Sequence, residues 1–112
     1  IVKARKLIGD KIIGVTCHNS VKLVKVAEKN KADYIALGAF HHSKTKKIKF
    51  KASIDLIKKV KKITKTPVVA IGGINYDNYK KLLLNKANFL AISGYIWNNK
   101  KFKPSEAIKR LK

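Results

Sequence analysis

Four short apolar runs recur along the chain, near 12–17, 34–38, 67–72 and 89–93. Their hydrophobic positions are continuous rather than alternating, the pattern of strands buried on both faces of a parallel sheet. Between the runs the pattern changes to a helical period. Over 20–29, Val21, Val24 and Ala27 share one stripe behind Asn19-Ser20, residues favoured at a helix N-cap. Over 53–64, Ile54, Ile57, Val60 and Ile63 recur every third residue, with Lys58, Lys59, Lys61 and Lys62 on the opposite side. The segment 76–85 turns Tyr79, Leu82 and Leu83 inward. The segment 104–112 opens on Pro104, which suits a first helical turn, and carries Ala107, Ile108 and Leu111. A further helix opens the chain and ends at Gly9, a residue suited to the position just past a helix.

The pattern is duplicated. Asn30-Lys31-Ala32-Asp33-Tyr34-Ile35-Ala36-Leu37-Gly38 aligns with Asn85-Lys86-Ala87-Asn88-Phe89-Leu90-Ala91-Ile92-Ser93, 55 residues later. Within one residue the same offset relates Ile12–Asn19 to Val68–Asn75. Strict alternation of strand and helix implies right-handed crossovers and a parallel sheet. Four strands cannot close an eight-stranded ring, but a doubled βαβα unit is what half of one contains. The predicted fold class is therefore α/β: residues 1–112 as one partial domain, the C-terminal half of a (β/α)8 TIM barrel. Its four parallel strands, alternating with helices, are strands five to eight. The opening helix lacks a capping residue and would follow a missing fourth strand, so the expectation is that the N-terminal half is absent. A flavodoxin-like sheet is the alternative, but it requires a glycine-rich loop after its first strand, and Thr16-Cys17-His18-Asn19 is not one.

Charge alters this picture less than its size promises. The 112 residues carry a formal net charge of +21. Of the 27 basic residues only Arg5 and Arg110 are arginine, and Ile and Asn are abundant at 14 and 8. That is compositional bias rather than selection for phosphate backbones, where the bidentate guanidinium is favoured. The expectation is a solvated lysine surface with no specific nucleic-acid partner. No apolar run reaches the ~18 residues of a membrane span. The single Cys17 can form no internal disulfide, and the cytoplasm is the expected location.

In a barrel, ligands bind beyond the C-terminal ends of the strands. After the third run stands Ala70-Ile71-Gly72-Gly73-Ile74-Asn75. Two adjacent glycines let the backbone approach an anion and offer it N–H groups, although alone they mark no more than a tight turn. One unit later, Ile92-Ser93-Gly94 adds a hydroxyl and a further N–H. As strands seven and eight, these two carry the usual phosphate site of the fold. After the second run, Gly38 to Lys47 is long and polar for a βα connection. There Ser43 and Thr45 supply hydroxyls and Lys46 a point charge suited to a diphosphate, with a solvated lysine loop as the competing reading. After the first run, Thr16 can hydrogen-bond a ligand. Cys17 reads as a small buried hydrophobe, since it and His18 point to opposite faces of a strand. His41-His42 lack a carboxylate partner for a metal site. The carboxylates Asp10, Glu28, Asp33, Asp55, Asp77 and Glu106 belong mostly to helices or their ends, and form no pair for Mg²⁺ or acid–base work.

Several of these motifs together resemble the thiamine-phosphate synthase family. They are Gly14-Val15-Thr16-Cys17-His18, Ala32-Asp33-Tyr34 leading to Gly38-Ala39-Phe40, Ser43-Lys44-Thr45-Lys46, Ala70-Ile71-Gly72-Gly73-Ile74 with Asn78, and Ala91-Ile92-Ser93. They run in order over nearly the whole chain; the Thr-Lys loop after Gly-Ala-Phe is the most specific. The resemblance implies a transferase that joins a hydroxymethylpyrimidine diphosphate to a thiazole phosphate and releases diphosphate, with Mg²⁺. It implies that Thr16 and the catalytic Lys46 contact the pyrimidine diphosphate. Ser43, Thr45, Gly72 or Gly73, Ile92 and Ser93 would hold the thiazole phosphate. Departures from the family are Thr16 for Ser, His42 and Lys44 for Pro and Thr, and Lys86 and Asn88 for Gly and Asp, the last two read as a surface matter. The family's diphosphate cluster and its two Mg²⁺-binding aspartates fall in the half not present here. The implied expectations are small-molecule phosphate partners, a chain inactive alone with at most weak thiazole-phosphate binding, and self-association through open sheet edges. A thiazole tautomerase or other phosphate-binding barrel relative, a basic nucleic-acid-binding module and a degenerate remnant are the alternatives.

Overall fold

Strands form where the apolar runs predict them in the computed structural model, which describes residues 2–38 and 54–111. They are β1 (Gly14–His18), β2 (Tyr34–Leu37), β3 (Val68–Ile71) and β4 (Phe89–Ala91). The sheet order is β1-β2-β3-β4 and every pair is parallel. Helix α1 (Val2–Ile8) precedes β1, and α2 (Val21–Lys29), α3 (Ile54–Ile63) and α4 (Tyr79–Leu84) make the crossovers. Two short helices, α5 (Gly94–Trp97) and α6 (Pro104–Lys109), follow β4. The Ser20 hydroxyl caps α2 by accepting from the Leu23 N–H at 3.2 Å, as its sequence position predicts.

Register puts Val15, Ile35, Leu37, Val68, Ala70 and Leu90 on one sheet face. That face packs against Val24 and Ala27 of α2, Ile57 and Val60 of α3, and Tyr79 and Leu82 of α4. Each fully buried aliphatic side chain contributes roughly 1.5–3 kcal/mol. Strand order equal to chain order, with the crossover helices on one face, is the winding of a barrel segment. A doubly wound sheet reverses its order and covers both faces.

The other face corrects the expectation of double burial. Tyr34, Ile71 and Phe89 lie on it and are 37, 42 and 61 % exposed. The described residues supply helices for one face alone. On the bare side Tyr34 lies across Gly14, where a Cβ would fall inside its ring. The helix stripes are also narrower than predicted. Leu56, Ile57 and Val60 are the buried line of α3 while Ile63 is exposed, and Leu83 and Ile108 face solvent as well.

Local geometry repeats as closely as sequence does. Gly14↔Tyr34 and Val15↔Ile35 become Val69↔Phe89 and Ala70↔Leu90, each 55 residues on. Asn30 and Asn85 end α2 and α4, their side-chain amides donating to the Val26 and Lys81 carbonyls at 2.8 and 2.6 Å. Lys31 and Lys86 follow with φ of 57° and 75°, and the Ala32 and Ala87 N–H groups reach back to the Ala27 and Leu82 carbonyls. This is a Schellman ending, at which glycine is the usual residue.

Asp33 and Asn88 then brace the strand that comes before them. The Asp33 N–H donates to the Ile13 carbonyl at 2.8 Å, and its carboxylate accepts from the Ile13 N–H at 2.7 Å. Asn88 does the same with Val68, at 2.9 Å in both directions. A basic side chain from the helix before completes each brace, Arg5 on Asp33 at 2.9 Å and Lys61 on Asn88 at 2.7 Å. Asn88 is therefore no surface matter: it satisfies a backbone N–H at the buried start of β3.

Candidate phosphate-binding site

Ile71 ends β3, Ala91 ends β4, and the two are register partners. Gly72-Gly73 and Ile92-Ser93 therefore leave the sheet side by side at its C-terminal edge. Gly72 has φ +104° and Gly73 φ +65°. A side chain at Gly72 would strain the backbone, while at Gly73 it would meet only the smaller cost of the left-handed region. Among the described residues, the N–H groups of Gly72, Gly73, Ser93 and Gly94 donate to no backbone or side-chain acceptor. Ser93 precedes α5, but its hydroxyl makes no cap bond there; its carbonyl accepts from the Ile96 and Trp97 N–H groups. The Ile92 side chain packs against the core, so what Ile92 offers a ligand is backbone.

A side chain holds the glycine loop from behind. The Asn78 amide oxygen accepts from the Asn75 N–H at 2.8 Å, and its amide nitrogen donates to the Gly73 carbonyl at 3.0 Å. Asn75 reciprocates, its side-chain oxygen accepting from the Asp77 N–H and its carbonyl from the Tyr79 N–H. These bonds occupy 75–78, so α4 starts at Tyr79 rather than at 76. In the sequence Asn78 stood out only as part of the family motif, which did not reveal which groups its amide would bind.

The remaining predicted residues fall in different places. Thr16 lies within β1 rather than beyond it, paired with Ala36 and exposed on the bare face, two strands away from the glycine loop. Ser43, Thr45 and Lys46 lie outside the described residues. Cys17 is fully buried, with its sulfur 3.8 Å from the Val15 carbonyl, and burial pushes the thiol's pKa up. A thiol so placed is a poor nucleophile at neutral pH. His18 carries φ +51° at the position 55 residues before Gly73, so the left-handed turn recurs after β1 without its glycines.

Both arginines have structural posts. Arg5 donates to the Gly9, Lys11 and Lys31 carbonyls as well as to Asp33. Arg110 lies over the Phe102 and Tyr76 rings, 4.5 and 5.1 Å from their centroids. Among the described residues no three His, Cys, Asp or Glu side chains gather where a metal ion could sit. Asp33 is engaged at the opposite end of the sheet. These residues do not fit a Mg²⁺ ion.

Known proteins share this chain's sequence and winding. The family model described as thiamine monophosphate synthase matches residues 1–96. Thiamine-phosphate synthase of Pelagibacter ubique is 65 % identical over 112 residues, covering all of this chain and 54 % of that protein. The synthase of Rhodospirillum centenum is 42 % identical over 98 residues, 87 % of this chain and 47 % of the relative. In three dimensions the thiamine phosphate pyrophosphorylase from Pyrococcus furiosus superposes with a TM-score of 0.82 at 27 % identity, over 97 % of this chain and 50 % of that one. The chain thus spans about half the length of the curated relatives it matches. With four parallel strands wound as in that solved barrel, and with the family model matched over most of its length, the chain belongs to the thiamine monophosphate synthase family.

Proposed function

We propose that this chain carries the thiazole-phosphate site of a thiamine-phosphate synthase, corresponding to the last four βα units of the barrel, and works in the reducing cytoplasm. One observation supports the reading above the others. Two loops whose N–H groups meet no acceptor among the described residues, one of them a Gly-Gly turn, leave adjacent in-register parallel strands. Such amides bind a phosphomonoester without needing a net positive side chain.

In the reaction, the bond between the pyrimidine methylene carbon and the diphosphate oxygen breaks. The thiazole nitrogen then captures the carbocation-like centre, and diphosphate departs with the electron pair. The protein's work is positioning and charge stabilisation. Gly72, Gly73 and Ser93 anchor the thiazole by its phosphate and so set the distance of its nitrogen from the reacting carbon. Ser43 and Thr45 add hydroxyls to that anchor. Lys46 and Thr16 contact the pyrimidine diphosphate, the lysine offsetting the charge of the leaving group.

Calorimetric titration with hydroxyethylthiazole phosphate tests the reading. Weak, saturable binding is the expected result, and no heat above that of the unphosphorylated thiazole would count against it. We further propose that the bare face around Tyr34, Ile71 and Phe89 drives self-association of the 112-residue chain. Sedimentation of Phe89→Lys beside the wild type tests that, the variant being the more monomeric.

A further inference from the structure

We propose that Asn78 is a positioning residue for the phosphate cradle, fixing the Gly73–Ile74 peptide plane so that the Ile74 N–H joins those of Gly72 and Gly73 as the third backbone donor of this loop. This deepens the proposed function and rests on it.

Asn78 stands at the N-cap of α4, yet its side chain makes no cap bond to that helix. It binds both sides of the glycine loop instead, donating to the Gly73 carbonyl at 3.0 Å and accepting from Asn75 N–H at 2.8 Å. Those two partners fix the amide's orientation, since only the nitrogen can donate to a carbonyl. A trans peptide is planar, and its N–H points opposite to its C=O. Drawing the Gly73 carbonyl toward α4 therefore turns the Ile74 N–H away from the helix layer.

That N–H has no acceptor among the described residues. The Ile74 side chain is 3 % exposed and belongs to the core, so the residue is anchored while its amide is not engaged. Gly72 and Gly73 are the most permissive backbone in the loop. Without the Asn78 bond, the peptide plane after Gly73 can rotate at little cost, and the donors lose their common direction.

The test compares wild type with Asn78→Ala and Asn78→Ser. Serine is a favoured N-cap residue and so protects the start of α4, but it is too short to reach the Gly73 carbonyl. Each protein is titrated with hydroxyethylthiazole phosphate and with the same thiazole lacking phosphate. Losing one hydrogen bond to a charged group implies about a tenfold or greater loss of affinity. The expected result is that loss for the phosphorylated ligand alone, with a shifted Ile74 amide resonance in the unliganded variants. A merely structural role would lower stability and leave the preference for phosphate unchanged. Equal phosphate preference in wild type and both variants overturns this role alone. No phosphate preference in the wild type overturns the proposed function and this role with it.

Discussion

Alanine at Gly72 separates a functional turn from an incidental one. The backbone there has φ +104°, against +65° at Gly73. L-residues reach the left-handed region near +57° at a cost of about 1–2 kcal/mol. Lys31 and Lys86, at +57° and +75°, show that this chain tolerates such positions with side chains. Gly73→Ala thus falls within the tolerated range and costs roughly 1 kcal/mol. Gly72→Ala falls outside it and costs roughly 2–3 kcal/mol. In the proposed site, a methyl group at either position would also narrow the approach of the phosphate to the loop amides. Urea unfolding followed by far-UV circular dichroism gives the two stability losses, and titration with hydroxyethylthiazole phosphate gives the binding loss. The expected order is wild type, Gly73→Ala, Gly72→Ala in stability, with both variants impaired in binding. Equal stability of the two variants, or wild-type affinity in either, would refute the reasoning.

The repeated brace gives three further expectations. Asn88→Ala leaves the Val68 N–H at a buried strand start without its acceptor and should cost about 1–3 kcal/mol by urea unfolding. The Ile13 N–H, and after it Arg5, hold the Asp33 carboxyl below its ordinary value. A pKa lower in the folded state stabilises above the unfolded value and loses that contribution as pH falls through the folded one. Asp33→Asn keeps an acceptor for Ile13, so its stability should fall less than wild type's in unfolding curves taken from pH ~5 down to ~2. Lys86→Gly relieves a positive φ and should raise the melting temperature by a few degrees, for roughly 0.5–1 kcal/mol.

Strand positions were legible because a parallel sheet buries short apolar runs, and those runs are uninterrupted here. Which face of each strand is covered was not, because burial depends on what packs there. Val69 and Ile71 read like Val68 and Ala70, yet Ile71 is exposed while Val68 and Ala70 are fully buried. The glycine loop was legible because positive φ leaves a compositional mark, and Ser93 because it follows one βα unit later. Asn78 appeared as a motif residue, but its two bonds depend on a turn that only coordinates define. Asn88 read as a surface matter and Asp33 as a carboxylate at a helix end, while one oxygen of each completes a strand's hydrogen bonding, a role that the fold alone defines. The four-residue α5, Gly94–Trp97, has no apolar stripe long enough to announce a helix.

In the proposed site, amides at the ends of β3 and β4 hold a phosphomonoester. The most direct measurement is an amide-resolved nitrogen–proton spectrum recorded during titration with hydroxyethylthiazole phosphate, repeated with the unphosphorylated thiazole. Shifts concentrated at Gly72, Gly73, Ile74, Ser93 and Gly94, for the phosphorylated ligand alone, are the expected result. Shifts scattered over the lysine-rich helices, or identical for both ligands, would contradict it.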